Sequence, residues 1–163
     1  MKNLRILFFG GNFFNHKIAQ NCEKLGAKCF FADMNSECFA SKKKRFVNIN
    51  FNDRKKILEF IKKNKINFLY ITQSDVGIRT LGYLNSKLNL PGINYSIAKN
   101  LTNKGRIREI LHENNFSQPK FIVTKDIKKI KNFISQKKKR CIVKPVDSSE
   151  SRGIAEIKKK DLL

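Results

Sequence analysis

"LRILFFGGNFFNHKIAQNCEKLGAKCFFAD", residues 4–33, decides the kind of fold. Residues 4–9 form a compact apolar run that stops on Gly10-Gly11, which predicts a buried strand feeding a tight turn. In "HKIAQNCEKLGA" the residues Ile18, Ala19, Cys22 and Leu25 are spaced for one helical face, and Gly26 is placed to stop that helix. "KCFFAD" then reads as a second strand ending at Asp33. Both strands are apolar throughout rather than at alternate positions, the pattern of strands buried on both faces in a parallel sheet.

The alternation continues outward from this stretch. A polar segment runs to about Lys44, a third strand is expected in "RFVNINF", and Asp53 is placed to cap a helix whose buried stripe is Ile57, Leu58 and Ile61. "INFLYIT" reads as a fourth strand, followed by Ser74-Asp75 and a helix through Leu88 that ends before Pro91-Gly92. Strands and helices in this order imply a mostly parallel sheet covered on both faces. The chain up to Pro91-Gly92 therefore reads as a Rossmann-like half domain, with its ligand crevice at the strand C-termini near Gly10, Gly11, Asp33 and Ser74.

Beyond Pro91 the pattern changes. A helical region runs from about Ser96 to Asn114, with Lys104 opening a helix after Thr102-Asn103. Pro119 separates it from an expected strand, "KFIVT". The helix "DIKKIKNFISQ", the strand "RCIVKP", a polar loop and the strand "GIAEIK" follow. This second block reads α-β-α-β-β and leaves a sheet face and an edge uncovered.

Composition bounds the function without choosing it. The 163 residues are 40% hydrophobic and 29% charged, ordinary for a globular protein, but 35 Lys and Arg face only 13 Asp and Glu, a net charge of +22. Such a balance attracts polyanions: nucleotides, nucleic acid or acidic surfaces. The basic runs Lys42-Lys43-Lys44-Arg45, Lys137-Lys138-Lys139-Arg140 and Lys158-Lys159-Lys160 fall in loops or at element edges, where solvated lysines are the plain reading. A nucleic-acid groove also wants exposed aromatics among its cations, and most of the 14 Phe sit in apolar runs that read as core strands. Cys22, Cys29, Cys38 and Cys141 have no C-x-x-C spacing, and only His16 and His112 could join them around zinc, so reduced thiols in a cytoplasmic protein are expected. The apolar start breaks at Gly10-Gly11 without a small-residue cleavage site, unlike a signal peptide, and no apolar run is long enough to span a bilayer.

Glycines after a first strand raise the question of a dinucleotide fingerprint. In Gly10-Gly11-Asn12-Phe13-Phe14-Asn15 the second glycine spacing of G-x-G-x-x-G fails, and phenylalanine stands where backbone must approach pyrophosphate. Asp33 falls where a ribose-binding acid would sit, yet an acid ending a second strand is common. A structural glycine turn is the expectation.

The clearest chemistry lies in the second block. Lys104 opens a helix, where its charge opposes the local dipole unless an anion offsets it. Lys144 closes a strand. The loop Asp147-Ser148-Ser149-Glu150-Ser151-Arg152-Gly153 offers hydroxyls, backbone N–H groups and a guanidinium, equipment for cradling phosphate oxygens. If two lysines and an arginine converge on a triphosphate, each charge-assisted bond is worth about 1.5–3 kcal/mol.

Over essentially its whole length the chain resembles the ATP-grasp superfamily. "ILFFGGN" through "NINFND" is similar to the pre-ATP-grasp domain, and "SDVGIRTLGYLNSKLNLPGIN" to the helix and Leu-Pro-Gly turn leading into the ATP-grasp domain. "LTNKGRIREILHENNFSQPKFIVT" resembles the family's Lys-x-x-x-Arg-x-x-Leu helix and Pro-x-Phe strand, and "IVKPVDSSESRGI" its Val-Lys-Pro strand and phosphate loop. The resemblance is closest to the carboxylate–amine ligase, biotin carboxylase and carbamoyl phosphate synthase branch.

It implies an α/β protein with a Rossmann-like pre-ATP-grasp domain over 1–92, followed by the first α+β lobe of an ATP-grasp domain over 93–163. It implies that Lys104 contacts ATP phosphates from the helix start and that Lys144 holds the α-phosphate side. Ser148, Ser149, Ser151, Arg152 and Gly153 would fold over the β- and γ-phosphates. The implied reaction converts a small-molecule carboxylate to an acyl phosphate with ATP, for attack by an amine or similar nucleophile, by positioning and by charge stabilisation from Mg²⁺ and cations.

Two departures stand out. Glu150 replaces the usual loop glycine, setting a carboxylate toward a triphosphate and narrowing the loop's φ range. The sequence also stops before the family's adenine-contacting segment and its magnesium-holding Glu and Asn. The expectation is the front part of a ligase, a fragment or an interrupted gene product, inactive unless a dimer or a complementing chain supplies the other lobe. Beside it stands a reading of another class, a basic α/β module docking on nucleic acid or an acidic partner. Binding that weakens steeply with salt and ignores nucleotide would mark that module.

Overall fold

The structure is a computed structural model that describes residues 3–72, 74–136, 140–148 and 152–158. The chain packs as two compact units, Met1–Thr102 and Asn103–Leu163.

In the first unit, β1 (Arg5–Phe9), α1 (Phe13–Lys24), β2 (Lys28–Asp33), β3 (Phe46–Asn48), α2 (Arg54–Lys63), β4 (Phe68–Ile71), α3 (Asp75–Leu88) and α4 (Tyr95–Leu101) follow one another. The four strands pair in parallel in the order β3-β2-β1-β4. Because side chains alternate across a strand, β1 feeds two cores. Leu7 and Phe9 join Phe30, Ala32 and Leu69 beneath Ile57 and Ile61 of α2 and Leu81 and Leu84 of α3. Ile6 and Phe8 join Cys29 and Phe31 on the opposite face, against Ala19 of α1. Burying each such large side chain stabilises the fold by roughly 1.5–3 kcal/mol. Cys29 shares this burial: its thiol donates to Ala19 O at 3.5 Å, and desolvation pushes its pKa up to about 12.

Local chemistry sets the element ends. Asn12 caps α1, accepting from Asn15 N at 2.9 Å, so the helix starts at Phe13, ahead of the expected "HKIAQNCEKLGA". Gly26 does stop it. With φ +89° it lets its own N–H reach Glu23 O and that of Ala27 reach Cys22 O, the paired bonds of a Schellman end. Leu25, expected on the buried face, is the C-cap residue and is exposed, because the helical period has already ended. The third strand is shorter than "RFVNINF". Its partner β2 ends at Asp33, opposite Asn48, so no further ladder exists for Ile49 to Phe51 to join.

The first unit extends to Thr102, past the boundary read at residue 92. Gly82 lets α4 lie directly on α3: a Cβ there would stand 2.5 Å from Ala98 Cβ and 2.8 Å from Asn94 O. Arg79 of α3 then donates to Thr102 Oγ1 at 2.6 Å and to Thr102 O at 3.0 Å, binding the end of α4 to the same unit.

The second unit contains α5 (Lys104–Glu113), α6 (Ile127–Ser135) and the antiparallel pair β5 (Cys141–Val143) and β6 (Ala155–Ile157). Residues 120–124 form no strand, which corrects the expectation for "KFIVT". A β-prone run becomes a strand only by pairing, and among the described residues the small sheet pairs β5 with β6 alone. Val123 is instead drawn to the start of α5, its Cγ1 lying 3.0 Å from where a Cβ on Gly105 would be.

Candidate functional site

The site is assembled from the start of α5 and the connection between β5 and β6. Asn103 caps α5 by accepting from Arg106 N at 2.9 Å. The N–H of Lys104 cannot be used within the helix, being one of its first four, and donates instead to Val146 O at 2.8 Å. Gly105 makes that approach possible. It is buried, and a side chain there would press on Val146 Cγ1 at 3.2 Å as well as on Val123. The Lys104 ammonium then donates to Ser148 O. One lysine thus clasps the loop twice, by backbone and by side chain.

The loop is also tied within itself. Ser148 Oγ donates to Arg152 O at 2.9 Å. Gly153 has φ +71°, in the left-handed region, and a Cβ there would sit 2.7 Å from Pro145 Cγ. Only glycine allows this turn to close over the proline. Lys144 follows β5 directly and is exposed, as are Arg152 and Gly153. Ser149, Glu150 and Ser151 lie outside the described residues. Lys104, Ser148, Arg152 and Gly153 are therefore brought together around one turn, with Lys144 at its entrance.

Sequence reasoning placed Asn103 just ahead of the helix without giving it a role, and missed Gly105. The signal was a glycine one residue inside a helix, where it costs about 1 kcal/mol against alanine unless close packing requires it.

At the strand C-termini of the first unit, Asp33 is committed to the fold. Its carboxylate accepts from Gly11 N at 2.7 Å and from Asn35 N at 2.9 Å. Asn15 is fully buried, donates to Phe9 O and Gly10 O, and accepts from Thr72 Oγ1 at 2.9 Å. Ser74 caps α3, accepting from Gly77 N at 3.2 Å. The Gly10-Gly11 turn is structural: a Cβ on Gly11 would lie 2.2 Å from Cys38 Sγ. His16, next to this turn, is buried against Phe39, and its Nδ1 lacks a hydrogen-bond partner among the described residues. Burial lowers its pKa, helped by the charges of Lys43 and Lys17 and opposed by Glu23.

Among the described residues, no three His, Cys, Asp or Glu side chains gather to hold a metal, and no helix is long and apolar enough to cross a membrane. All four cysteines are free thiols.

Comparison with solved structures finds the same fold in part of several ligases. The chain matches N5-carboxyaminoimidazole synthetase from Staphylococcus aureus, solved with ADP, at a TM-score of 0.82 and 22% identity, over 98% of this chain and 43% of that one. L-amino acid ligase from Bacillus licheniformis matches with a TM-score of 0.74 and 19% identity, over 99% and 41%. Phosphoribosylglycinamide synthetase from Anaerococcus prevotii gives 0.71 and 19%, over 98% and 40%. The chain spans about two fifths of the length of these structures. No protein-family profile and no curated protein sequence matches it.

Proposed function

We propose that the chain supplies the pre-ATP-grasp unit and the first lobe of the nucleotide site of an ATP-grasp ligase, which activates a carboxylate as an acyl phosphate for attack by an amine. The observation that carries the reading is the double clasp of Lys104 on the β5–β6 loop, which fixes a helix-borne ammonium beside a serine-rich turn. Lys104, Lys144 and Arg152 are three cations suited to polyphosphate, and the glycine-closed turn gives them a backbone to work with. Lys104 holds the loop until phosphate oxygens compete for its ammonium. Lys144 meets the α-phosphate side, and Ser148, Ser149, Ser151, Arg152 and Gly153 cover the β- and γ-phosphates. Magnesium would neutralise charge developing on the transferred phosphoryl group. The described residues offer no carboxylate cluster to hold the ion.

Competition with a fluorescent ATP analogue tests the assignment. Lys144→Ala removes one charge-assisted bond, about 1.5–3 kcal/mol, which is roughly ten- to hundredfold in affinity. Equal affinities for the parent and the variant would overturn the role of Lys144. The 163-residue polypeptide by itself is expected to show no ligase turnover.

A further inference from the structure

The first unit carries a cluster that the nucleotide reading does not use. Arg54 opens α2, and its guanidinium lies 4.7 Å from the ring centre of Tyr83 in α3 and 5.3 Å from that of Tyr95 in α4. The two rings meet edge-to-face at 5.8 Å. Lys87 approaches the Tyr83 ring at 5.7 Å and its hydroxyl at 3.4 Å, and Lys99 stands 5.0 Å from the Tyr95 ring. Two half-buried tyrosines thus hold three cations in place.

Among the described residues, no acid forms a salt bridge with Arg54, Lys87 or Lys99. The sequence from Val76 to Arg108 contains neither Asp nor Glu. Asp53, beside Arg54, is occupied by Lys56, whose backbone N–H lies at 3.0 Å and whose ammonium lies at 3.3 Å. Cations seated on aromatic faces have lost part of their freedom and hydration already, so an incoming anion has less to displace. Aromatics interleaved with unpaired cations are the equipment of single-strand binding surfaces. The core-bound phenylalanines do not provide it, but these tyrosines do. A chain of charge +22 also attracts a polymeric anion more strongly than a small one.

We infer that the α2–α3–α4 face of the first unit, through Arg54, Lys87, Lys99, Tyr83 and Tyr95, is a docking surface for single-stranded nucleic acid. The inference is independent of ATP binding at the β5–β6 loop. Phosphates would sit on the three cations, which the two tyrosine rings hold in place.

Anisotropy of a labelled oligouridylate with the full chain, titrated over salt, tests it. Arg54→Gln/Lys87→Gln/Lys99→Gln removes three phosphate contacts. The log–log salt slope should become shallower by about 2, which at about 0.1 M salt is roughly hundredfold in affinity. Lys87→Gln/Lys99→Gln, which leaves half-buried Arg54 in place, should lower the slope by about 1.4 and guards against a folding defect. Lys42→Gln/Lys43→Gln/Lys44→Gln removes the same charge elsewhere and should leave most of the binding intact. An equal loss in the two triple variants would reduce the effect to net charge and overturn the inference. Displacement of the oligouridylate by polyglutamate at equal charge would also overturn it, in favour of acidic protein partners. Lys144→Ala should leave oligouridylate binding unchanged; if it abolishes that binding, the strand sits at the loop and the assignment of this face fails.

Discussion

The two units bury their apolar side chains very differently. Among the described residues, every fully buried apolar side chain except Ile134 lies in Met1–Thr102. That unit places a four-stranded parallel sheet between helices, with a core on each face. In the second unit Ile142, Val146, Val123, Ile127, Ile154 and Phe116 are all more than a third exposed. A two-stranded sheet has too little surface to bury its own hydrophobic face, and an isolated hairpin is marginal in water. Among the described residues, the first unit therefore carries almost all of the buried apolar core and the second almost none.

Separating the units should break the comparison most visibly. A polypeptide of residues 1–102 is expected to unfold cooperatively and to give dispersed amide resonances, while residues 103–163 alone should give a collapsed, coil-like spectrum. A well-dispersed spectrum from the second piece would end the contrast. Next in size is a matched pair of truncations. Leu84→Ala, at a fully buried position, should cost about 2–5 kcal/mol in denaturant unfolding. Ile142→Ala, at a site 52% exposed, should stay within about 0.5 kcal/mol.

A pH titration sharpens the picture of the first unit. Burial holds the His16 pKa below its ordinary value, so below about pH 6.5 the unfolded chain binds the proton more readily than the folded one. Stability is complete above that pH and falls as the solution is acidified, by at most about 1.4 kcal/mol per pH unit from this group. His16→Gln should flatten that limb of the unfolding curve. An unchanged slope would mean that the imidazole is not the group responsible. A helix cap gives a modest effect: Asn94→Ala, which removes the acceptor for Ile97 N at 2.9 Å, should cost about 1 kcal/mol.

The parallel unit was legible because its signals are local and repeated. Unbroken apolar runs such as "ILFF" and "CFFA", short and bounded by turn residues, read as strands covered on both sides, and Asp53, Ser74 and Gly26 mark helix ends by their own chemistry. "KFIVT" misled because β-propensity reports a fit to a pleated surface, and here the run packs at the start of α5 without pairing to β5 or β6. The extension of the first unit to Thr102 was hidden for a similar reason: the close approach of Gly82 to Ala98 belongs to packing between helices, not to periodicity along one of them. At the candidate site, the lysines and the loop could be read as types of residue. The clasp could not, since it joins Lys104 to Ser148 across forty-odd positions through a backbone carbonyl that carries no sequence identity.

The deeply set sulfur of Cys29 has a practical side. A thiol held near 12 stays protonated at neutral pH and ignores electrophiles, whereas Cys22, Cys38 and Cys141 are partly open to them. Replacing Cys22 and Cys38 alone would leave one reactive handle, at the first residue of β5. A dye placed there would watch the hairpin close or loosen in real time, with the silent fourth sulfur undisturbed inside the sheet.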